Sequence, residues 1–225
     1  MIPIPSPSYG GGAASEFSQS VLLIQPTAAS GSIVDISNNE NVVTVNGGTA
    51  LSTAVTDPAG GSAKVIDFTS AGDLTLPSIV QVGKADLAIR LKFRLVSVSG
   101  NQVLMEGNVS AFTELQPQIF VNSSGKVLLY TNNGFRITGG TTLTGGVWYD
   151  LLWSRVAGTS RLFIDGVQEG SDYADTVAYH FRPLFGKAFD GTSSFGGYMQ
   201  SIQIVPLNGL HAAAFTPPTF PLATS

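Results

Sequence analysis

A chain of 225 residues with 43% hydrophobic side chains is long enough to bury one substantial core. Only 12% of the residues are charged and the net charge is −4, so there is no basic footprint for nucleic acid. The absence of cysteine excludes disulfides, thiolate metal sites and a thiol nucleophile together.

So little charge has a second implication. The polar surface must come from Ser, Thr, Asn and Gly, and interface cores are depleted in charge. The composition therefore suggests a subunit much of whose surface partners cover, with a homo-oligomer as one form of that cover. The N-terminus has neither the basic nor the apolar region of a signal peptide. No apolar run reaches the roughly 18 residues of a membrane helix. The expectation is a soluble protein with no membrane insertion.

In chain order, residues 1–14 (MIPIPSPSYGGGAA) place three prolines within seven residues and then three glycines. Such a stretch forms neither a helix nor an interior strand. It reads as an extended arm, with Ile2, Pro3, Ile4, Pro5, Pro7 and Tyr9 as the groups that would dock on a neighbouring subunit. Short strands follow at 20–25, 41–45, 64–68 and 74–76, with 26–40 rich in turns. The stretch 87–96 alternates most cleanly: Leu87, Ile89, Leu91, Phe93 and Leu95 face one way, while Ala88, Arg90, Lys92, Arg94 and Val96 face the other. That pattern predicts one buried face and one wet, basic face. Further strands are expected at 102–106, 118–121 and 126–131, the last two joined by the turn Asn122–Gly125.

The stretch 147–170 carries both tryptophans. Its apolar runs break at Ala157–Ser160 and again at Asp165-Gly166, which predicts three consecutive antiparallel strands. Trp148 and Trp153 are expected to anchor the sheet packing, and Gly166 to supply the positive φ of the second turn. After a looser region at 171–182, strand signals return at 184–186 and 198–206. Residues 207–225 carry three prolines and read as a second extended arm, following a body at 15–206. The prediction is an all-β, two-sheet antiparallel sandwich.

Enzymatic chemistry finds little support. No glutamate sits in an alternating acid cluster of the kind a glycosidase strand carries. The two histidines, His180 and His211, have no nucleophile elbow to serve. Without cysteine a metal site would rest on carboxylates and carbonyls, which suits calcium. Asp165 and Asp190 are the weak candidates, each followed by glycine and so also explained by a turn. The glycine pairs do not open helices and cannot cradle phosphate. A sugar site is conceivable where exposed aromatics meet polar groups: Asn132, Asn133, Phe135 and Arg136 in one loop, Tyr173 and Tyr179 in the looser region.

Five segments, in order, resemble the laminin-G-like, concanavalin-A-like jelly-roll domain: KVIDFTSAGDLTLP (64–77), the alternating strand at 86–93, the element at 102–107, the Trp strand and RLFIDG at 145–166, and the closing strand at 196–204. The flanks resemble those of laminin-G-like proteins of tailed bacteriophages. Two departures stand out: Gln25-Pro26-Thr27 replaces the His-Phe-Asp that commonly follows the first strand, and Gln200-Ser201 replaces an Asp-Glu pair in the closing strand. The resemblance implies a jelly roll and a non-enzymatic virion structural protein, a head decoration or tail accessory subunit. Its arms would hold other virion proteins. The alternative it implies is a carbohydrate-binding module for a host cell-surface glycan.

Overall fold

The computed structural model describes residues 18–61, 63–76, 80–108 and 117–222. The N-terminal docking groups Ile2, Pro3, Ile4, Pro5, Pro7 and Tyr9 lie outside the described residues. Sixteen strands are found among those described: β1 Leu22–Ile24, β2 Thr44–Asn46, β3 Ala50–Ser52, β4 Val65–Asp67, β5 Asp73–Thr75, β6 Val80–Gly83, β7 Leu87–Leu95 and β8 Gln102–Asn108. They continue with β9 Gln118–Val121, β10 Val127–Thr131, β11 Gly134–Thr138, β12 Trp148–Val156, β13 Thr159–Ile164, β14 Val167–Ala174, β15 Tyr179–Phe185 and β16 Gly197–Pro206.

Two antiparallel eight-stranded sheets form the sandwich. Sheet A runs β14-β13-β12-β7-β16-β4-β3, with β1 also on β16; sheet B runs β11-β10-β9-β8-β15-β5-β2, with β6 also on β15. The long central strands β7, β12 and β16 set the frame. Leu91 sits opposite Leu151 on one side and Ile202 on the other, so the inward row of each strand adds to the same core. That core joins Phe68, Phe93, Trp153, Phe181, Phe185 and Phe195 between the sheets.

The expected three-strand unit at 147–170 is present as β12, β13 and β14. Both of its turns have two consecutive positive φ angles: Ala157 and Gly158 at 49° and 72°, Asp165 and Gly166 at 48° and 78°. This geometry matches the right-handed twist of the strands it joins. Four strands, β3, β6, β11 and β15, were not expected, and β14 runs further than expected. β3 and β6 are too short to carry their own periodicity. β11 occupies what reads as a loop at 134–138, and β14 and β15 take up most of the region that reads as loose.

The alternation of β7 holds, but its outer face is wet only toward Arg94 and Val96. Arg90 is only 1% exposed. The reason is a segment more than a hundred residues away. The C-terminal residues 208–222 fold back across the outside of sheet A. Leu210 and Phe215 pack on Ala88, Leu152, Phe163 and Val205, and Phe220 and Leu222 pack on Leu23. Phe215 meets Phe163 edge-on at 5.4 Å and lies 5.5 Å from the Arg90 guanidinium, while Lys92 stands 5.4 Å from Phe220. Beneath this cover Arg90 pairs with Asp150 at 3.7 Å, both side chains fully buried. The C-terminal arm is therefore not an extended segment free for neighbours: its apolar groups are used on its own sheet.

One family departure explains the attachment. Gln25 is buried and its amide clamps Leu222 from both sides, donating to the carbonyl at 3.0 Å and accepting from the N–H at 2.7 Å. Closer to the hinge, the His211 ring stacks flat on Phe215 with centroids 3.8 Å apart. Burial, then the nearby Arg90 charge, lowers its pKa from the usual 6.5 to about 4. A histidine with a lowered folded-state value favours the neutral form. Its contribution to holding the arm is full above about pH 6.5 and is lost as the pH falls toward 4. Hydrogen-exchange protection factors of residues 209–215 should fall over that window, and His211→Phe should remove this part of the acid sensitivity.

Candidate binding face

The outward side of sheet B carries the most unusual surface chemistry. Strands β9 and β10 are apolar on both faces. Ile119, Val121, Val127 and Leu129 point into the core, while Phe120, Leu128 and Tyr130 point outward. Ladder pairing sets Val103 and Leu128 on either side of Phe120, and Tyr130 directly opposite Phe135. Phe135 closes the row. Its ring lies 5.4 Å from Tyr130, edge-on, and 6.1 Å from Phe120, and it remains 64% exposed. Three aromatic rings thus make a shallow platform at one side of the sheet.

Polar groups and a loop border it. Gln118 donates to Glu106 at 3.0 Å, and the same carboxylate oxygen accepts the N–H of Phe189 at 3.0 Å. Residues 187–194 fold across this side. Ala188 packs against Val103, Phe120 and Leu128, and Phe189 is about half exposed. Lys187 ties the loop down through Asp73 of β5 at 2.6 Å, a carboxylate that also accepts from Asn46. The face therefore combines exposed aromatic surface with fixed amide and carboxylate groups. That combination suits a ligand with one apolar and several hydroxylated sides.

The residues expected to form a sugar site separate. Asn132 and Asn133 are the two central residues of the β10–β11 turn, with φ of 49° and 59°, which accounts for both asparagines locally. Phe135 is not a loop tip but a strand residue. Arg136 folds back on the hairpin, donating to the carbonyls of Thr131 and Asn132, and covers Tyr173 with its guanidinium 5.4 Å from the ring. Tyr179 is 1% exposed and belongs to the core: its hydroxyl donates to Asp175 at 3.0 Å and its ring meets Trp153 edge-on at 5.2 Å. Burial and the Asp175 charge raise its pKa, so it stays a neutral phenol. It is out of reach of a surface ligand. Of the expected set, Phe135 alone lies in the aromatic row, and Phe120 and Tyr130 are its unforeseen partners.

The weak calcium candidates both serve turns. Asp165 accepts the N–H of Asp150 at 2.8 Å across the hairpin. Asp190 accepts both the N–H and the hydroxyl of Thr192, which hold its carboxyl below the usual range. Among the described residues no three His, Asp or Glu side chains gather around a point that could hold a metal ion. Of the two tryptophans expected to anchor the sheet packing, Trp153 does so and Trp148 does not. Trp153 is fully buried and donates to Ser160 at 3.0 Å. Trp148 is half-buried on the outer side of sheet A, where its indole N–H holds the carbonyl of Thr56 at 3.0 Å. It pins the 49–61 segment and takes no part in packing sheet on sheet.

Solved structures share this architecture at low identity. The binding domain of botulinum neurotoxin serotype D is 12% identical with a TM-score of 0.62, covering 91% of this chain and 50% of its own. A structure reported for cell entry of botulinum neurotoxin type C through two ganglioside molecules is 13% identical with a TM-score of 0.59, at 86% and 49% coverage. Domain 4 of AbnA, an extracellular GH43 arabinanase from Geobacillus stearothermophilus, solved with arabinotriose, is 15% identical with a TM-score of 0.58, at 84% and 93% coverage. The chain thus spans about half the length of the toxin structures it resembles. No curated protein matches the sequence. The profile of one family matches residues 68–207, from the end of β4 to just beyond β16. The chain belongs to that family, Laminin_G_3 of the Concanavalin A-like lectin/glucanases superfamily.

Proposed function

We propose that this chain is a non-catalytic, lectin-like binding module whose ligand face is the outer side of sheet B, acting as a displayed subunit of a bacteriophage particle. The observation that carries the binding reading is the row Phe120–Tyr130–Phe135, with Phe135 largely exposed. An aromatic ring left in water on a rigid sheet is a ready stacking surface for the apolar side of a sugar ring. The fold is shared with an arabinanase domain solved with a trisaccharide and with toxin binding domains. Glu106, the acidic side chain bordering the platform, is held by two donors. This suits it to orienting a ligand rather than to proton transfer. The particle context rests on the phage-like flanks and on a charge content low enough for a surface that neighbours cover.

A glycan array probed with the intact chain tests the binding reading. A hit set that Phe135→Ala weakens by at least about ten-fold, roughly 1.4 kcal/mol of lost stacking, is the expected result. Thermal stability should be nearly unchanged, because Phe135 is mostly exposed. Retention of full binding in Phe135→Ala would move the site elsewhere. An array without hits would leave a structural role in the particle, which immunogold labelling of purified particles would locate.

A further inference from the structure

The C-terminal arm is attached in a way that also permits attachment elsewhere. It forms no β-ladder with sheet A. Its hold consists of separate contacts: the Asn208 amide to the Gln19 side-chain oxygen, His211 N–H to the Ser154 hydroxyl at 3.3 Å, Phe215 N–H to the Gly166 carbonyl at 3.0 Å, the Gln25 clamp on Leu222, and the packing of Leu210, Phe215, Phe220 and Leu222. These partners belong to the framework strands, their turns or the residues flanking β1, none of them to the arm itself, so the seat exists whether or not its own arm fills it.

The seat has a mixed character. Cross-strand pairing places Ser201 beside Lys92 and Gln203 beside Arg90 on the covered face. The Ser201 hydroxyl and the Gln203 carbonyl oxygen are buried without a hydrogen-bond partner among the described residues. These groups gain partners when water reaches them, which lowers the cost of lifting the arm. The apolar residues Leu23, Leu152, Phe163 and Val205 are what a lifted arm exposes, so the empty seat calls for a replacement.

The hinge supplies the other half of the argument. β16 ends at Pro206, and the chain turns at Leu207, whose φ is +62° and whose side chain is 67% exposed. A left-handed conformation is disfavoured for leucine, and its largely exposed side chain gains little packing in return. In an extended hinge Leu207 returns to ordinary backbone geometry. Strained hinges of this type favour exchange of a terminal segment between identical chains.

From the separable contacts, the independent seat and the strained hinge, we infer that the arm 208–222 exchanges between two copies of this chain, each filling the other's seat on sheet A. Every arm contact is reproduced in the exchanged pair and only the hinge changes. This inference is independent of the ligand face on sheet B.

The chain has no cysteine, so introduced thiols report cleanly. Leu23 and Leu222 are buried in the same small cluster. Leu23→Cys and Leu222→Cys are made as separate proteins with different tags, mixed at high concentration in sub-denaturing urea, returned to buffer and oxidised. Exchange yields a covalent heterodimer at least ten-fold more abundant than the dimer from either variant alone. The double variant, oxidised when dilute, gives a closed monomer and confirms that the two thiols meet. Leu207→Gly, which removes the strain, should lower the dimer association constant by about five-fold or more, equivalent to about 1 kcal/mol. A closed monomer in the double variant with no heterodimer in the mixture would overturn the inference. So would dimers that persist undiminished when the chain is cut after Pro206.

Discussion

Replacing Arg155 with methionine should lower the unfolding free energy by about 3–5 kcal/mol, because it leaves a buried carboxylate without its counter-charge. Arg155 lies on the inward face of β12 and is fully buried. Its guanidinium donates to the carbonyls of Ala85 at 2.8 Å, Val177 at 2.7 Å and Gly83 at 2.9 Å, and stands 3.7 Å from Asp175. These partners have a common meaning in the topology. Residues 83–85 join β6 of sheet B to β7 of sheet A, and residues 175–178 join β14 of sheet A to β15 of sheet B. One side chain therefore ties together two of the connections that pass between the sheets. Asp175 in turn accepts from the Ser160 and Tyr179 hydroxyls, and Ser160 holds the indole of Trp153. Loss of the cation strands that whole group. The midpoint of thermal unfolding should fall by about 10 °C. Urea titration followed by tryptophan fluorescence measures the change. In the double variant with Asp175→Asn the two losses should be less than additive by about 1–3 kcal/mol, since the second substitution removes the orphaned charge. Additive losses would show that the pair acts through separate contacts.

The parts of the fold that could be read from the sequence are those decided locally. The β12–β13–β14 unit is legible because Ala157-Gly158 and Asp165-Gly166 are residues that tolerate positive φ and are flanked by β-rich runs. β3 and β6 are not, because segments of three or four residues become strands only when a neighbouring strand offers a ladder. The alternation of β7 correctly gives its inward face, yet it cannot show what covers the outward one. Arg90 and Lys92 look like solvent-facing charges until residues 210–220 are folded over them. The candidate face was half legible for a related reason. Phe135 stands out beside a turn. Phe120 and Tyr130 are hidden within QIFV and VLLYT, runs apolar on both faces, where an outward ring is indistinguishable from a core ring. Tyr179 shows the converse: an aromatic in a seemingly loose region is a core residue, because that region is strand β15.

Gly166→Ala should detach the C-terminal arm, at a cost of about 2–4 kcal/mol, while leaving the sandwich folded. Two effects combine at this position. The φ of +78° is itself unfavourable for alanine, by about 1 kcal/mol. In addition, a Cβ there would lie 1.9 Å from the carbonyl oxygen of Phe215 and 3.1 Å from the ring of Pro217. The hairpin is fixed by ladder pairing of β13 with β14 and cannot retreat, whereas the arm is held only by separate contacts, so the arm is the part that moves. Its departure breaks the Phe215 N–H bond to Gly166 and uncovers Phe163, which accounts for the remainder of the cost. Gly191→Ala isolates the first effect: its φ is +77°, almost the same, but nothing lies within 4 Å of the added methyl. The Gly191 variant should lose about 1 kcal/mol and keep its arm protected. The Gly166 variant should show rapid proteolysis between 208 and 222 and fast exchange of the Phe215 amide, with the β12 and β16 amides still protected. Equal arm protection in the two variants would mean that the arm yields to the methyl by a local shift and remains on sheet A.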